Sequence, residues 1–112
     1  MAAGTYNLVI DQGSDFAITL TLSEDGSAKD LSNYSARAQL RSKKTSTSVA
    51  ATFTCTVTDA SNGKIKMELG NSVTADLSAG IYYYDLEIYT SNDGNVTRLL
   101  EGKATITQEV TR

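Results

Sequence analysis

The sequence predicts an all-β domain, an immunoglobulin-like β-sandwich of about seven antiparallel strands, and three observations predict it. The first is Gly80-Ile-Tyr-Tyr-Tyr-Asp-Leu-Glu-Ile-Tyr89, the longest β-branched and aromatic run in the chain. With a period of two it places Tyr82, Tyr84, Leu86 and Ile88 on one face, and Ile81, Tyr83, Asp85, Glu87 and Tyr89 on the other. A helical period would split the apolar set, so the run reads as a central strand with one buried face. The second observation is that several other segments alternate in the same way. The third is the punctuation between them by turn residues, as in Asp11-Gln-Gly13, Glu24-Asp25-Gly26-Ser27, Asn62-Gly63 and Asn92-Asp-Gly94. A jelly roll or a small open barrel is the alternative arrangement.

Taken in order, Tyr6–Ile10 reads as a first strand with Tyr6, Leu8 and Ile10 inward. Residues 14–22 alternate with Phe16, Ile18, Leu20 and Leu22 inward. Asp30–Tyr34 reads as a loop that tucks Leu31 under the sheet. Tyr34, Ala36, Ala38 and Leu40 form the inner face of the next strand, with Arg37, Gln39 and Arg41 outward. The polar stretch Ser42–Ser48 reads as a mobile loop. Val49, Ala51, Phe53, Cys55 and Val57 then point inward, and Asn62-Gly63 supplies the positive φ of a hairpin connection. Ile65, Met67 and Leu69 return along the following strand.

One helical turn is expected between Gly70 and Ala79, capped by Asn71 or Ser72 and anchored by Val73 and Leu77. After the tyrosine-rich strand, a last long strand runs from Val96 to Val110, with Val96, Leu100, Ala104, Ile106 and Val110 inward. Leu99 breaks its alternation, and Gly102 predicts a bulge or bend. In a sandwich the strands carrying Arg37 and Glu87 are neighbours. Arg37 and Arg41 are therefore expected to face Asp85 and Glu87 across paired strands.

The chain has 112 residues and reads as a single sandwich domain spanning 1–112. Its 40% apolar and 21% charged content is that of a globular protein. A net charge of −3 argues against a nucleic-acid partner, which needs a basic face. No run approaches the roughly 20 apolar residues of a membrane helix, so no membrane partner is expected. The N-terminus carries neither a positive region nor an apolar block, and the expectation is a chain made in a cytoplasm without a signal peptide. Cys55 is the single cysteine, which excludes an intrachain disulfide; with no histidine present, a Cys/His zinc set is excluded too.

Candidate chemistry is sparse. Asp85 and Glu87 share a strand face, but a salt-bridged face accounts for them better than an acid–base pair. The acidic turns around Asp11, Asp15, Glu24, Asp25 and Asp59 lack the alternating oxygen spacing of a calcium loop. Cys55 has no histidine to activate it and reads as a small core residue. Arg37, Arg41, Lys43 and Lys44 form a modest basic cluster, best read as solvated. No catalytic, cofactor or metal site is expected, and the chain reads as a non-enzyme. Tyr83 and Tyr89 are of more interest. With Asp85, Glu87, Arg37 and Arg41 they make a candidate partner-contact surface on the outward face. A carbohydrate-binding module using Tyr83 and Tyr89 is the alternative of a different class.

Several segments together carry a resemblance. They are Met1-Ala-Ala-Gly-Thr-Tyr6-Asn-Leu, Ile10-Asp-Gln-Gly13-Ser-Asp-Phe16, Asp30-Leu-Ser-Asn-Tyr34-Ser-Ala-Arg37-Ala-Gln-Leu-Arg41, Gly80-Ile-Tyr-Tyr-Tyr-Asp85-Leu-Glu87, and Arg98 to Arg112. In this order the chain resembles a family of small structural proteins of tailed bacteriophages. It is also similar to the N-terminal domains of phage baseplate and receptor-binding assembly proteins. The resemblance implies a β-sandwich virion component located in the virion, with no cofactor. Its partners would be other virion proteins, and a homo-oligomer is compatible with it. The tail, baseplate or fibre-attachment region is the expected place, with a capsid decoration protein as the alternative. The first and last strands are the expected contact elements, because edge strands can accept a partner strand.

Overall fold

A computed structural model describes residues 4–24, 26–91 and 94–111. The strands in chain order are β1 (Gly4–Thr5), β2 (Leu8–Asp11), β3 (Phe16–Thr21), β4 (Ser23–Glu24), β5 (Ser27–Ala28), β6 (Ser35–Arg41), β7 (Ala51–Asp59), β8 (Lys64–Leu69), β9 (Gly80–Tyr89) and β10 (Val96–Thr107). A short helix α1 (Asn71–Ala75) joins β8 to β9, and a 3₁₀ turn (Ala60–Asn62) joins β7 to β8. The all-β expectation holds.

The two separate sheets of a sandwich are replaced by one curled sheet, with strand order β1-β10-β9-β6-β7-β8-β3 and β2 also on β10. The cause is β7. Ala51–Phe53 pair with β6, whereas Thr54–Asp59 pair with β8. One strand thus changes neighbours along its length and carries the sheet round the corner. The N-terminal strands run parallel to β10, and the other described pairings are antiparallel.

Strand periodicity sends every second residue into the curl. Leu8, Ile10, Ala38, Leu40, Ala51, Phe53, Ile65, Met67, Leu69, Tyr84, Leu86, Ile88, Ala104 and Ile106 are buried there, and Leu31 and Leu77 enter from the loops. Fully burying one Leu or Ile side chain contributes about 1.5–3 kcal/mol, so this interior dominates stability. Phe53 stands between Phe16 and Tyr84, edge to face with each at 6.2 Å, and so links β3, β7 and β9 across the interior. The Tyr84 hydroxyl donates to the Tyr6 carbonyl at 2.5 Å, and burial pushes its pKa up to about 12.

Several expectations need correction. Tyr6 is not inward: it lies in the break between β1 and β2 and is 47% exposed. Val49 precedes β7 and is exposed, as is Val73. The helix is anchored instead by Thr74, fully buried, whose hydroxyl donates to the Ser14 carbonyl at 2.8 Å, together with Leu77. Neither Asn71 nor Ser72 caps it. Gly70 is the N-cap, and the Asp15 carboxylate accepts the Asn71 N–H at 2.8 Å from across the chain.

The bulge in β10 lies at Leu99, where the register with β9 shifts, and Leu99 is buried. That extra residue inverts parity on its N-terminal side, which is why Val96 is exposed. Val110 lies beyond the strand and is also exposed. Gly102 has another role: a Cβ there would collide with the Tyr6 carbonyl, so glycine lets the N-terminal segment close on β10. The Asn62-Gly63 connection needs positive φ only at Gly63, at 68°. The Asn92–Gly94 turn lies partly outside the described residues.

Candidate functional site: the outer face of β6, β9 and β10

Alternation that buries Tyr84, Leu86 and Ile88 must turn Tyr83, Asp85, Glu87 and Tyr89 outward on β9. Antiparallel pairing then fixes what stands beside them. On β6, Arg37 pairs with Glu87, Gln39 with Asp85 and Arg41 with Tyr83. On β10, Arg98 pairs with Glu87, Glu101 with Asp85 and Lys103 with Tyr83. The expected neighbourhood of Arg37 and Arg41 with Asp85 and Glu87 is present.

The side chains use these positions. Arg37 Nε lies 2.9 Å from Glu87 Oε1, and the same guanidinium sits 4.5 Å from the centre of the Tyr89 ring. Arg98 reaches Asp85 and Glu101, at 3.4 Å each, and Lys44 reaches Glu101 at 3.6 Å while lying 6.0 Å from the Tyr83 ring centre. Arg41 turns aside, donating to the Ser46 carbonyl at 2.8 Å and to Gln39 Oε1 at 2.9 Å. The segment expected to be a mobile loop is therefore folded back against this face through Lys44 and Ser46. Partial burial, with Glu87 beside it, raises the Asp85 pKa, and Arg98 acts in the opposite sense.

The structure thus brings together Arg37, Tyr83, Asp85, Glu87 and Tyr89 and places Arg41 at their border. Arg98, Glu101 and Lys44 belong to the same face; strict alternation sets Glu101 outward but Arg98 inward, and it does not reach Lys44 in its loop. Arg98 and Glu101 differ in parity, and only the bulge at Leu99 sets both outward. Its sequence signal is the pair Leu99-Leu100, which no single alternation can bury. Between these residues lies a depression of about 190 Å³ lined by Gln39, Arg41, Lys44, Tyr83, Tyr84, Asp85, Arg98 and Glu101. A second depression of about 400 Å³, lined by Arg37, Ala38, Gln39, Arg41, Asp85 and Glu87, adjoins it on the same face.

Elsewhere, burial pushes the Cys55 thiol up to about 11, which keeps it protonated and unreactive at neutral pH. Among the described residues no group of three or more Asp, Glu or Cys side chains is placed to hold a metal ion, and no helix is long and apolar enough to cross a membrane.

No family model and no curated protein matches the chain. Among solved structures it is similar to the N-terminal domain of phage TP901-1 ORF48, at a TM-score of 0.60 and 14% identity, covering 96% of this chain and 100% of that one. At such identity what is shared is the fold, so the curled β domain described above is also the fold of a phage protein's N-terminal domain.

Proposed function

We propose that this protein is a non-enzymatic structural component of a tailed-phage virion, and that it binds other virion proteins in the tail, baseplate or fibre-attachment region. The observation that carries the reading is the fold shared over the whole domain with the N-terminal domain of a phage protein. The sequence resemblance points to the same class. The contact surface in this reading is the outer face of β6, β9 and β10, with Arg37, Arg41, Tyr83, Asp85, Glu87 and Tyr89 at its centre.

We also read the fold as immunoglobulin-like in lineage. The order β10-β9-β6 corresponds to the G-F-C sheet of such domains, and β3-β8-β7 to their B-E-D sheet. The Tyr82 hydroxyl donates to the Ser78 carbonyl at 2.8 Å, as in a tyrosine corner at the entry to the sixth strand. The bend in β7 merges what would be those two sheets into one.

The carbohydrate reading is less well supported, because a sugar-stacking platform needs an open ring face. Arg37 covers Tyr89 at 4.5 Å, and Lys44 stands over Tyr83 at 6.0 Å. Reconstruction of the assembled particle tests the proposal. The chain is expected in the tail apparatus with the Arg37–Glu87 face against another protein. A position on the capsid would favour the decoration-protein alternative, and absence from the particle would overturn the reading. A glycan array separates the third class: specific binding lost in Tyr83→Ala would favour a sugar-binding module.

A further inference from the structure

Below the charged residues of the outer face lies a second patch, set by strand register. Thr105 pairs with Val9 of β2 on one side and with Ile81 of β9 on the other, so the three form one row across the sheet. Val9 is 65% exposed and Ile81 57%, high values for aliphatic side chains on paired strands. One step along the strands lies Asp11, paired with Thr107, whose Oγ1 donates to Asp11 Oδ1 at 2.7 Å. One step the other way lies Lys103, exposed and paired with Tyr83. Along the strand direction the patch therefore reads acid, aliphatic row, base.

We propose that this patch is a self-complementary interface on which a second copy of the chain docks face to face. A two-fold axis running along the row Val9, Thr105, Ile81 lays each aliphatic side chain against its own copy. The same axis sets Lys103 of one copy against Asp11 of the other, twice per dimer. An axis parallel to the strands would instead keep the acids of both copies at one end and the bases at the other, so charge favours the first geometry. The aliphatic row loses water at the centre, and the ion pairs form the rim. The patch is small, so the dimer is weak and salt-sensitive, and it fills where copies are concentrated. It uses neither Arg37, Glu87 nor Tyr89, and it stands independently of the virion reading.

Sedimentation velocity of the full chain, from micromolar to millimolar concentration at low and at high salt, tests the interface. Reversible association to two chains, weakened by salt, is expected. Asp11→Lys and Lys103→Asp each create two like-charge contacts and should weaken self-association by roughly tenfold or more. An equimolar mixture of those two variants should pair as well as the native chain does, and the double variant D11K/K103D should recover self-association. Val9→Asp sets two carboxylates together on the axis and should leave single chains; its exposed position allows it to fold, which thermal melting verifies. A native chain that stays single at low salt overturns the proposal. So do single variants that associate like the native chain, or a folded mixture that fails to pair.

Discussion

The two outer faces of this sheet follow the same alternation and carry different chemistry. On β6, β9 and β10 the outward side chains contact one another: Arg37 bridges Glu87 and Tyr89, Arg98 bridges Asp85 and Glu101, and Lys44 reaches Glu101. On β3, β8 and β7 the outward residues are Ala17, Thr19, Thr21, Thr54, Thr56, Thr58, Lys64, Lys66 and Glu68, with no aromatic ring among them. The ion pair between Lys66 and Glu68 there is 3.6 Å long, and Lys64 Nζ reaches Thr21 Oγ1 at 3.2 Å.

Outward positions are the ones folding leaves open, so what occupies them reflects other demands. Threonine needs no partner to sit well on a pleated strand. An exposed ion pair contributes only about 0–1 kcal/mol once the lost rotamer freedom of its side chains is included, and an exposed cation–ring contact about 0.5–1 kcal/mol. The Arg37–Glu87–Tyr89 arrangement therefore supplies only a small part of the stability, most of which comes from the interior.

Four experiments test how the two halves of the sheet differ. The largest effect should come from the interior that both halves share. Phe53 lies where β7 passes from one half to the other, and Phe53→Ala should cost about 3–5 kcal/mol. Chemical denaturation should still show one transition. Two separated transitions would mean that the halves are independent units and that their faces should not be compared within one domain. Tyr84→Phe removes the hydrogen bond to the Tyr6 carbonyl and should cost about 1 kcal/mol, with faster amide exchange in β1 and β2. Unchanged exchange there would show that the pairing of β1 and β2 with β10 holds the N-terminal segment without this hydrogen bond.

The two faces are tested directly by a pair of substitutions. Arg37→Ala loses both an ion pair and a ring contact and should cost about 0.5–1 kcal/mol, whereas Lys66→Ala should change stability by less than about 0.5 kcal/mol. Equal costs in thermal melts would mean that the two faces contribute alike to stability. The smallest effect concerns pH. The Asp85 pKa is raised in the folded state, so the folded protein holds that proton more tightly than the unfolded chain does. The stabilising contribution is complete below the ordinary carboxylate range and is lost as pH rises through the raised value. Asp85→Asn should flatten that part of the stability–pH profile, and a profile identical to the native one would contradict the assignment.

Much of this was legible residue by residue. The inward set of β9, the paired charges of Arg37 and Glu87, the burial of Leu31 and the faces of β6 and β8 follow from a period of two and the choice of neighbouring strands. Failures cluster where a contact comes from far along the chain. Asp15 reaches Asn71 at the start of α1, and Thr74 reaches Ser14; nothing local marks either as a partner. Arg98 was hidden from the outer face because one buried bulge residue inverts parity partway along β10.

By itself the sequence determined the class of structure and which face of most strands is buried, because side-chain alternation is a local property of the backbone. Tertiary structure alone decided that β7 would serve both halves and so turn two expected sheets into one curled sheet. It also decided where the bulge falls and which charges meet. Those outcomes depend on which strand edges find each other, and strand pairing is set by burial across the whole chain, beyond the pattern within any one segment.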